Sequence, residues 1–386
     1  MKKNKLMLIL IVVISLLITV GCWNYREIED LAIVTGAAVD MDPKTGKYIV
    51  TVELISPSQQ QKETQISTTT MTIKGRTIFG AVRNFIEVSG KKLYWSHARV
   101  IIISEEIARK NIAPVLDWVK RDAEVRTDMY ILVSREKTAG EILESKVELG
   151  KIVSYQLENA FKSGESISKF PRVQLRHFIN DLSANGKSAV AATVNLKPEN
   201  GKKVPQIHGA AVFKGAKQVG WFNGYETRSL LWLRDKIKGG ALVEEAINIE
   251  GRNVNTTLEI YEGKTNVKPV LTDEGEIIMN VDIHSDVTIA EFDGTIKPSE
   301  KDVQNKIERE IKKDIKKRIK VTITKAQAYG SDAFGFGQAI EREMPDLWKQ
   351  IESNWDEIYP QIGVKINIGI HIRGSGLAGK NIEVGD

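Results

Sequence analysis

Val303, Ile307, Ile311, Ile315 and Ile319 recur at intervals of four in a segment otherwise crowded with charge. On a helix of 3.6 residues per turn, that interval draws one slowly winding apolar stripe and leaves the other faces to water. The helix is predicted to start near Pro298-Ser299-Glu300 and to run over about 299–320. A stripe of this kind needs a partner surface. The chain closes on Val364, Ile366, Ile368, Ile370 and Ile372, whose strict alternation is that of a strand with one buried face. Packing the stripe on a sheet leaves Lys306, Arg309, Lys312, Lys313, Lys316, Lys317, Arg318 and Lys320 in water. The competing use of that basic face is contact with anionic lipid headgroups. Helices and strands fall in blocks along the chain. The predicted class is therefore α+β, with several domains built from mixed, largely antiparallel sheets and packed helices.

The first half shows the same two periodicities. Leu31 to Val39 and Tyr48 to Ile55 are apolar β-type runs joined by Asp42-Pro43-Lys44-Thr45-Gly46, a turn signal, and are predicted to form a hairpin. Gln59 to Thr72 is polar and is predicted to be an exposed loop that ends in a strand. Ile78, Phe79, Val82, Phe85 and Ile86 lie at helical spacing, and Arg99 to Ile103 has the composition of a buried strand. Helices dominate from Glu105 to about Ser183, interrupted by a strand near Asp128 to Val133, and Ser188 to Leu196 is a further strand. Apolar periodicity stops at Lys197-Pro198-Glu199-Asn200-Gly201-Lys202-Lys203, where turn residues gather, which predicts a linker.

Of the 386 residues, 42% are hydrophobic and 27% charged, a balance that excludes disordered and collagen-like classes and leaves room for two or three cores. Lys2, Lys3 and Lys5 precede a 15-residue run, Leu6 to Val20, that is apolar except for Ser15 and Thr19. A membrane span needs about 20 apolar residues, so the run has the length of an export signal. It ends in Thr19-Val20-Gly21-Cys22, and Cys22 is the only cysteine of the chain. A small residue before a cysteine at this place has the pattern of a bacterial lipobox, although Thr19 stands where leucine is usual. The signal is then cut before Cys22, which carries an S-diacylglyceryl group and an N-acyl chain; two or more acyl chains make a stable anchor. One cysteine also excludes intramolecular disulfides and Cys-based zinc clusters. Cutting at Cys22 removes three lysines and lowers the formal net charge from +5 to +2, so nothing points to a nucleic-acid partner. The predicted organisation is a signal peptide (1–21), an N-terminal α+β region (22–196, open to division into two subdomains), a linker (197–205) and a C-terminal α+β domain (206–386).

Beyond the lipobox the chain reads Cys22-Trp23-Asn24-Tyr25-Arg26-Glu27-Ile28 and then a short apolar strand. Trp95-Ser96-His97 precedes an apolar stretch ending in Glu105-Glu106-Ile107-Ala108, followed by Asp117, Arg121-Asp122 and Arg126. Gly209-Ala210-Ala211-Val212-Phe213-Lys214 leads to Gly220 and Glu226-Thr227-Arg228. Near the end stand Asp332-Ala333-Phe334-Gly335-Phe336-Gly337, Pro345, Trp348, Trp355 and Gly374-x-Gly376. In this order and spacing these segments resemble the Ger(x)C family, the lipoprotein C subunits of bacterial spore germinant receptors. The resemblance implies a non-enzymatic subunit held through Cys22 on the outer face of the spore inner membrane. It also implies two polytopic membrane subunits as partners, and coupling of nutrients to germination. The rival is an independent solute-binding lipoprotein of a transporter. That class shows two βαβ-rich lobes around a cleft, unlike the blockwise pattern here.

Other motifs carry little chemistry. Gly374-Ser375-Gly376-Leu377-Ala378-Gly379 spells G-x-G-x-x-G, but only seven residues follow, too few for the helix that a phosphate site needs. Asp282, His284 and Asp286 share one face of a strand at about 7 Å spacing, wide for ligands of a single ion. Asp40 and Asp42 lack the twelfth-position Glu of a calcium loop, where Thr51 stands. His97, His177, His208 and His371 are scattered, and no P-loop or nucleophile elbow occurs. The expectation is a protein with no catalytic, cofactor or metal site.

Overall fold

The structure, a computed structural model, describes residues 30–56, 67–145, 152–249, 251–293 and 299–374, with four residues of the leader. Cys22 and the glycine-rich tail beyond Gly374 lie outside the described residues.

β1 (Leu31–Met41) and β2 (Tyr48–Ser56) form the expected hairpin. Its turn is held by Asp42, whose carboxylate accepts from the Lys44 and Thr45 N–H groups at 3.0 and 3.3 Å, and by Gly46 at φ 67°. β3 (Ser67–Gly75) adds an antiparallel edge. α1 (Ile78–Ser89) is capped by Thr77 and buries Ile78, Ala81, Val82 and Phe85. Phe79 and Ile86 remain exposed, because the buried arc of the helix is narrower than its apolar spacing. β4 (Lys92–Tyr94) pairs with the start of β1.

The centre of the sheet is parallel. β1 pairs with β5 (Val100–Ile103), β5 with β6 (Tyr130–Ser134), and β6 with β7 (Val190–Glu199). Parallel strands require crossovers on the faces, which bury both sides. Ile101 and Ile103 face the layer of α2 (Glu105–Lys110) and α3 (Ala113–Arg121). Val100 and Ile102 face α4 (Gly140–Leu143) and α5 (Val153–Ser163). Two buried acids hold the N-termini of that second layer. Asp40 accepts from the Ala139 and Gly140 N–H groups at 2.6 and 3.0 Å, and Glu53 from those of Val153 and Ser154 at 2.8 and 3.0 Å. α6 (Leu175–Ser183) buries Leu175 and Phe178 on the α2 side.

The segment 197–205, expected as a linker, is instead the end of a hairpin. β7 runs directly into β8 (Lys202–Lys214), with Pro198 opposite Lys203 and Glu199 opposite Lys202. Asn200 and Gly201 at the tip have φ 48° and 74°, the two left-handed residues that a type I′ turn demands. With β9 (Lys217–Phe222), the nine-stranded sheet has the order β3-β2-β1-β5-β6-β7-β8-β9, and β4 lies beside β1. The chain leaves this sheet only after residue 222.

α7 (Gly224–Leu233) opens with a capping box between Asn223 and Glu226. The second sheet follows, with β10 (Gly240–Ile249), β11 (Arg252–Leu271) and β12 (Ile277–Phe292) antiparallel. α8 (Lys301–Ala328) lays its stripe of Val303, Ile307, Ile311, Ile315 and Ile319 into the core. The helix runs eight residues past the expected end at 320, through Thr322, Ile323 and Ala326, which are buried. Thr322 is accommodated by donating its hydroxyl to the Arg318 carbonyl at 2.8 Å. α9 (Phe336–Glu343), α10 (Pro345–Ile351) and α11 (Trp355–Ile358) lead to β13 (Gly363–Gly374), which pairs in parallel with β12. One apolar core joins this sheet and its helices to Val190, Ala210, Val212 and Phe222 of the first sheet. The class is thus α+β with mixed sheets: the first is parallel at its centre and antiparallel at both flanks, and the second is antiparallel except for its edge strand β13. No helix among the described residues is long and apolar enough to cross a membrane.

Candidate functional site

A cleft of about 950 Å³ opens where α6, the end of α7, the middle of β11 and the start of α9 meet. Its wall is held by a charged network that joins distant parts of the chain. Arg234 follows the last turn of α7, at a bend where Asp235 has φ 54°. The Nε of Arg234 donates to the Ala333 carbonyl at 2.6 Å, one terminal nitrogen to Asp181 Oδ2 at 3.1 Å, and the other to the Ser188 carbonyl at 2.8 Å. Lys187 reaches the other oxygen of Asp181 at 2.7 Å. Burial pushes the Arg234 guanidinium down from its ordinary value, and Asp181 opposes that. The Lys187 amine is also pushed down, first by burial and then by the charge of Arg234; Asp181 pulls the other way, and the charge of Lys236 adds to the push.

Asp332 forms the floor of the same network. Its Oδ1 accepts from the Gly335 and Phe336 N–H groups at 2.8 and 3.0 Å and its Oδ2 from Gly337 at 2.8 Å, so it caps α9 from within the protein. Burial pushes its carboxyl up to about 6 against the pull of those three donors and of Arg234. The Asp332 carbonyl accepts from the Ser188 N–H at 2.8 Å, and the Gly186 carbonyl from Gln338 at 3.0 Å. The backbones of Gly186 and Gly337 touch: a Cβ on Gly337 would stand 2.4 Å from Gly186 Cα and 2.8 Å from the Trp348 ring. Trp348 packs edge-on against Trp355 with ring centres 5.3 Å apart. Gly337 and Trp348 are therefore parts of one tight junction between α9 and the turn before β7, with Trp355 packed behind Trp348.

Elsewhere the sequence candidates do other work. Asp282, His284 and Asp286 do lie along one face of β12, but Asp282 accepts from the Asn367 amide at 2.9 Å and Asp286 pairs with Arg373. His208 accepts from the Gly224 N–H at 3.2 Å at the start of α7, and His177 lines the cleft. No sequence motif marks Asp181, Lys187, Arg234 and Asp332 as a site; the local signal is the charge-rich bend Arg234-Asp235-Lys236-Ile237-Lys238.

Two family models match in tandem. The spore germination protein N-terminal domain covers residues 24–196, and the spore germination B3/GerAC-like C-terminal domain covers residues 208–376. The chain belongs to the Ger(x)C family of spore germination proteins. Spore germination protein KC of Bacillus subtilis (strain 168) is 24% identical to it, over 98% of each chain. Spore germination protein B3 of the same organism is 25% identical, over 95% of this chain and 96% of the other. The crystal structure of the GerBC protein superposes with a TM-score of 0.55 at 22% identity, over 88% of this chain and 97% of that one, so the two share a fold. Asp332 and α9 lie inside the C-terminal match, whereas Asp181, Gly186, Lys187 and Ser188 lie inside the N-terminal one. The cleft of this Ger(x)C chain is thus assembled from both matched halves.

Proposed function

We propose that the protein is the lipid-anchored C subunit of a nutrient germinant receptor, held through Cys22 on the outer face of the spore inner membrane. The observation that carries this reading is the pair of spore germination models covering 24–196 and 208–376 in the order and spacing of a whole family member. Its partners are two polytopic membrane subunits, and its task is assembly and coupling, not catalysis. The geometry of the cleft is consistent with that task. Asp181, half-buried in its wall, is engaged by Lys187 and by Arg234 of the other half of the chain, and Asp332, buried behind the wall, is committed to backbone N–H groups of its own turn. A carboxylate committed to three backbone donors is a structural fastener more readily than a proton carrier.

The test is in spores that lack this chain. Loss of optical density is followed after addition of nutrients and, separately, after a non-nutrient trigger. The reading requires that a nutrient response disappear while the non-nutrient route survives, and that a Cys22→Ala chain lose both palmitate label and function. Retention of every nutrient response after the other receptors have also been deleted would overturn it.

A further inference from the structure

The cleft carries positive charge that its own wall does not neutralise. Asp181 is shared by Lys187 and Arg234, and Glu165 is paired with Arg172. Asp235 directs a carboxylate oxygen at the Thr265 N–H, 2.8 Å away. Lys236 and Lys238 line the same cleft, are exposed, and have no ion-pair partner among the described residues.

These two lysines do not sit on a loose loop. The Lys236 N–H donates to the Leu231 carbonyl at 2.8 Å, and Ile237 between them is buried in the core at 1% exposure. At the far end, the Gly239 carbonyl accepts from the Ser168 hydroxyl at 2.6 Å. The backbone of the bend is therefore pinned on both sides, so that binding need order only the two lysine side chains. The wall also contains Thr265 Oγ1, a buried hydroxyl with no hydrogen-bond partner among the described residues. Val267, Phe336 and Ala339 add an apolar side. A volume of about 950 Å³ is far larger than a simple inorganic ion needs and falls in the range of cavities that hold small organic ligands.

We propose that this cleft binds a small organic polyanion, a di- or tricarboxylate of metabolite size, whose acidic groups are met by Lys236 and Lys238 and whose carbon skeleton lies against Val267, Phe336 and Ala339. An anion there also offsets the mutual repulsion of Lys187, Arg234 and Lys236, the first two of which share the single carboxylate of Asp181. The inference rests on the cleft alone and not on the receptor reading.

Isothermal titration of the full chain in non-ionic detergent, with citrate as the probe, tests it. Triethyl citrate, which has the same skeleton without the charges, and inorganic phosphate, which has charge without a skeleton, serve as controls. Citrate binds, triethyl citrate does not, and citrate binding weakens as salt is raised. The exposed double substitution Lys236→Gln/Lys238→Gln leaves the thermal midpoint unchanged and weakens citrate at least about tenfold, equivalent to roughly 1.4 kcal/mol. Absence of citrate binding overturns the proposal, as does binding that the double substitution leaves intact. Phosphate binding as tight as citrate overturns the organic class and leaves a simple anion site. Because the assay reads binding by the purified chain, its failure is distinct from a failure of the spore phenotype.

Discussion

The Arg234 guanidinium lies 3.1 Å from the Asp181 carboxylate and at the same time holds the Ala333 and Ser188 carbonyls. One side chain thus fastens the end of α7 to α6, to the start of β7 and to the turn before α9. A planar fork with five donors can serve three acceptors in different directions, which an ammonium cannot. Arg234→Met leaves Asp181 short of a partner and two carbonyls without donors, and is expected to cost about 3–5 kcal/mol. Arg234→Lys keeps the charge and is expected to recover only part of that loss. Urea unfolding followed by tryptophan fluorescence measures both; a shift in Arg234→Met below about 1 kcal/mol would falsify the fastening role.

The contact of Gly337 with Gly186 makes a second, independent prediction. In Gly337→Ala the new methyl would stand 2.4 Å from Gly186 Cα and 2.8 Å from both the Gly186 carbonyl oxygen and Trp348, so the backbones must separate. The expected cost is about 1–3 kcal/mol, the range for overpacking a filled core. Gly363→Ala is the control, because its methyl meets only Ile278 at 3.5 Å, ordinary van der Waals contact. Equal unfolding midpoints for the two variants would mean that the junction yields freely.

What could be read from the sequence follows from how local each determinant is. The stripe from Val303 to Ile319 and the alternation from Val364 to Ile372 repeat one physical requirement several times within a short stretch, so each is legible; the stripe is buried throughout, and in the strand Ile366, Ile370 and Ile372 are buried while Val364 and Ile368 are half-buried against the same core. Asn200-Gly201 shows the limit of local reading. Turn residues report that the chain reverses, but whether the next segment returns to the same sheet depends on Val204 to Val212 finding Val190 to Lys197, which is not a local property. The cleft network lies wholly beyond such reading. Asp181, Arg234 and Asp332 come together because the core formed by α7, α8 and both sheets places them there, and each alone has the appearance of a surface charge in the sequence.

The α8 stripe is expected to carry far more stability than its basic face. Ile311 is fully buried, so Ile311→Ala removes packed methylenes and leaves a cavity, at a cost of about 2–5 kcal/mol. Lys313 is exposed and only 3.8 Å at best from Glu310, a surface pair worth little. Lys313→Ala should stay within about 0.5 kcal/mol of the parent. Denaturant midpoints of the two variants separate a helix held by its apolar face from one held by its charges.

Glu244 on β10 faces Asp314 and Arg318 of α8, which pair with each other, and its carboxyl is pushed up from 4.5 to about 7, first by burial and then by the Asp314 charge, with Arg318 opposing. Since the native pKa is the higher one, the folded protein holds this proton more tightly than the unfolded chain does. The contribution is therefore fully present below about 4.5 and is lost as pH rises through about 7. With the group partly open to solvent, the effect is on the order of 1 kcal/mol. Asp332, pushed up to about 6, and Asp40, also raised by burial, slope the same way, so the parent curve alone does not isolate Glu244. Glu244→Gln keeps the shape of the protonated side chain and removes its titration. Unfolding free energies of parent and variant, measured at intervals from pH 4.5 to 8, should agree at the acid end and diverge upward for the variant as pH rises. Parallel curves over that interval would show that Glu244 ionises at its ordinary value and that the contact of β10 with α8 does not sense pH.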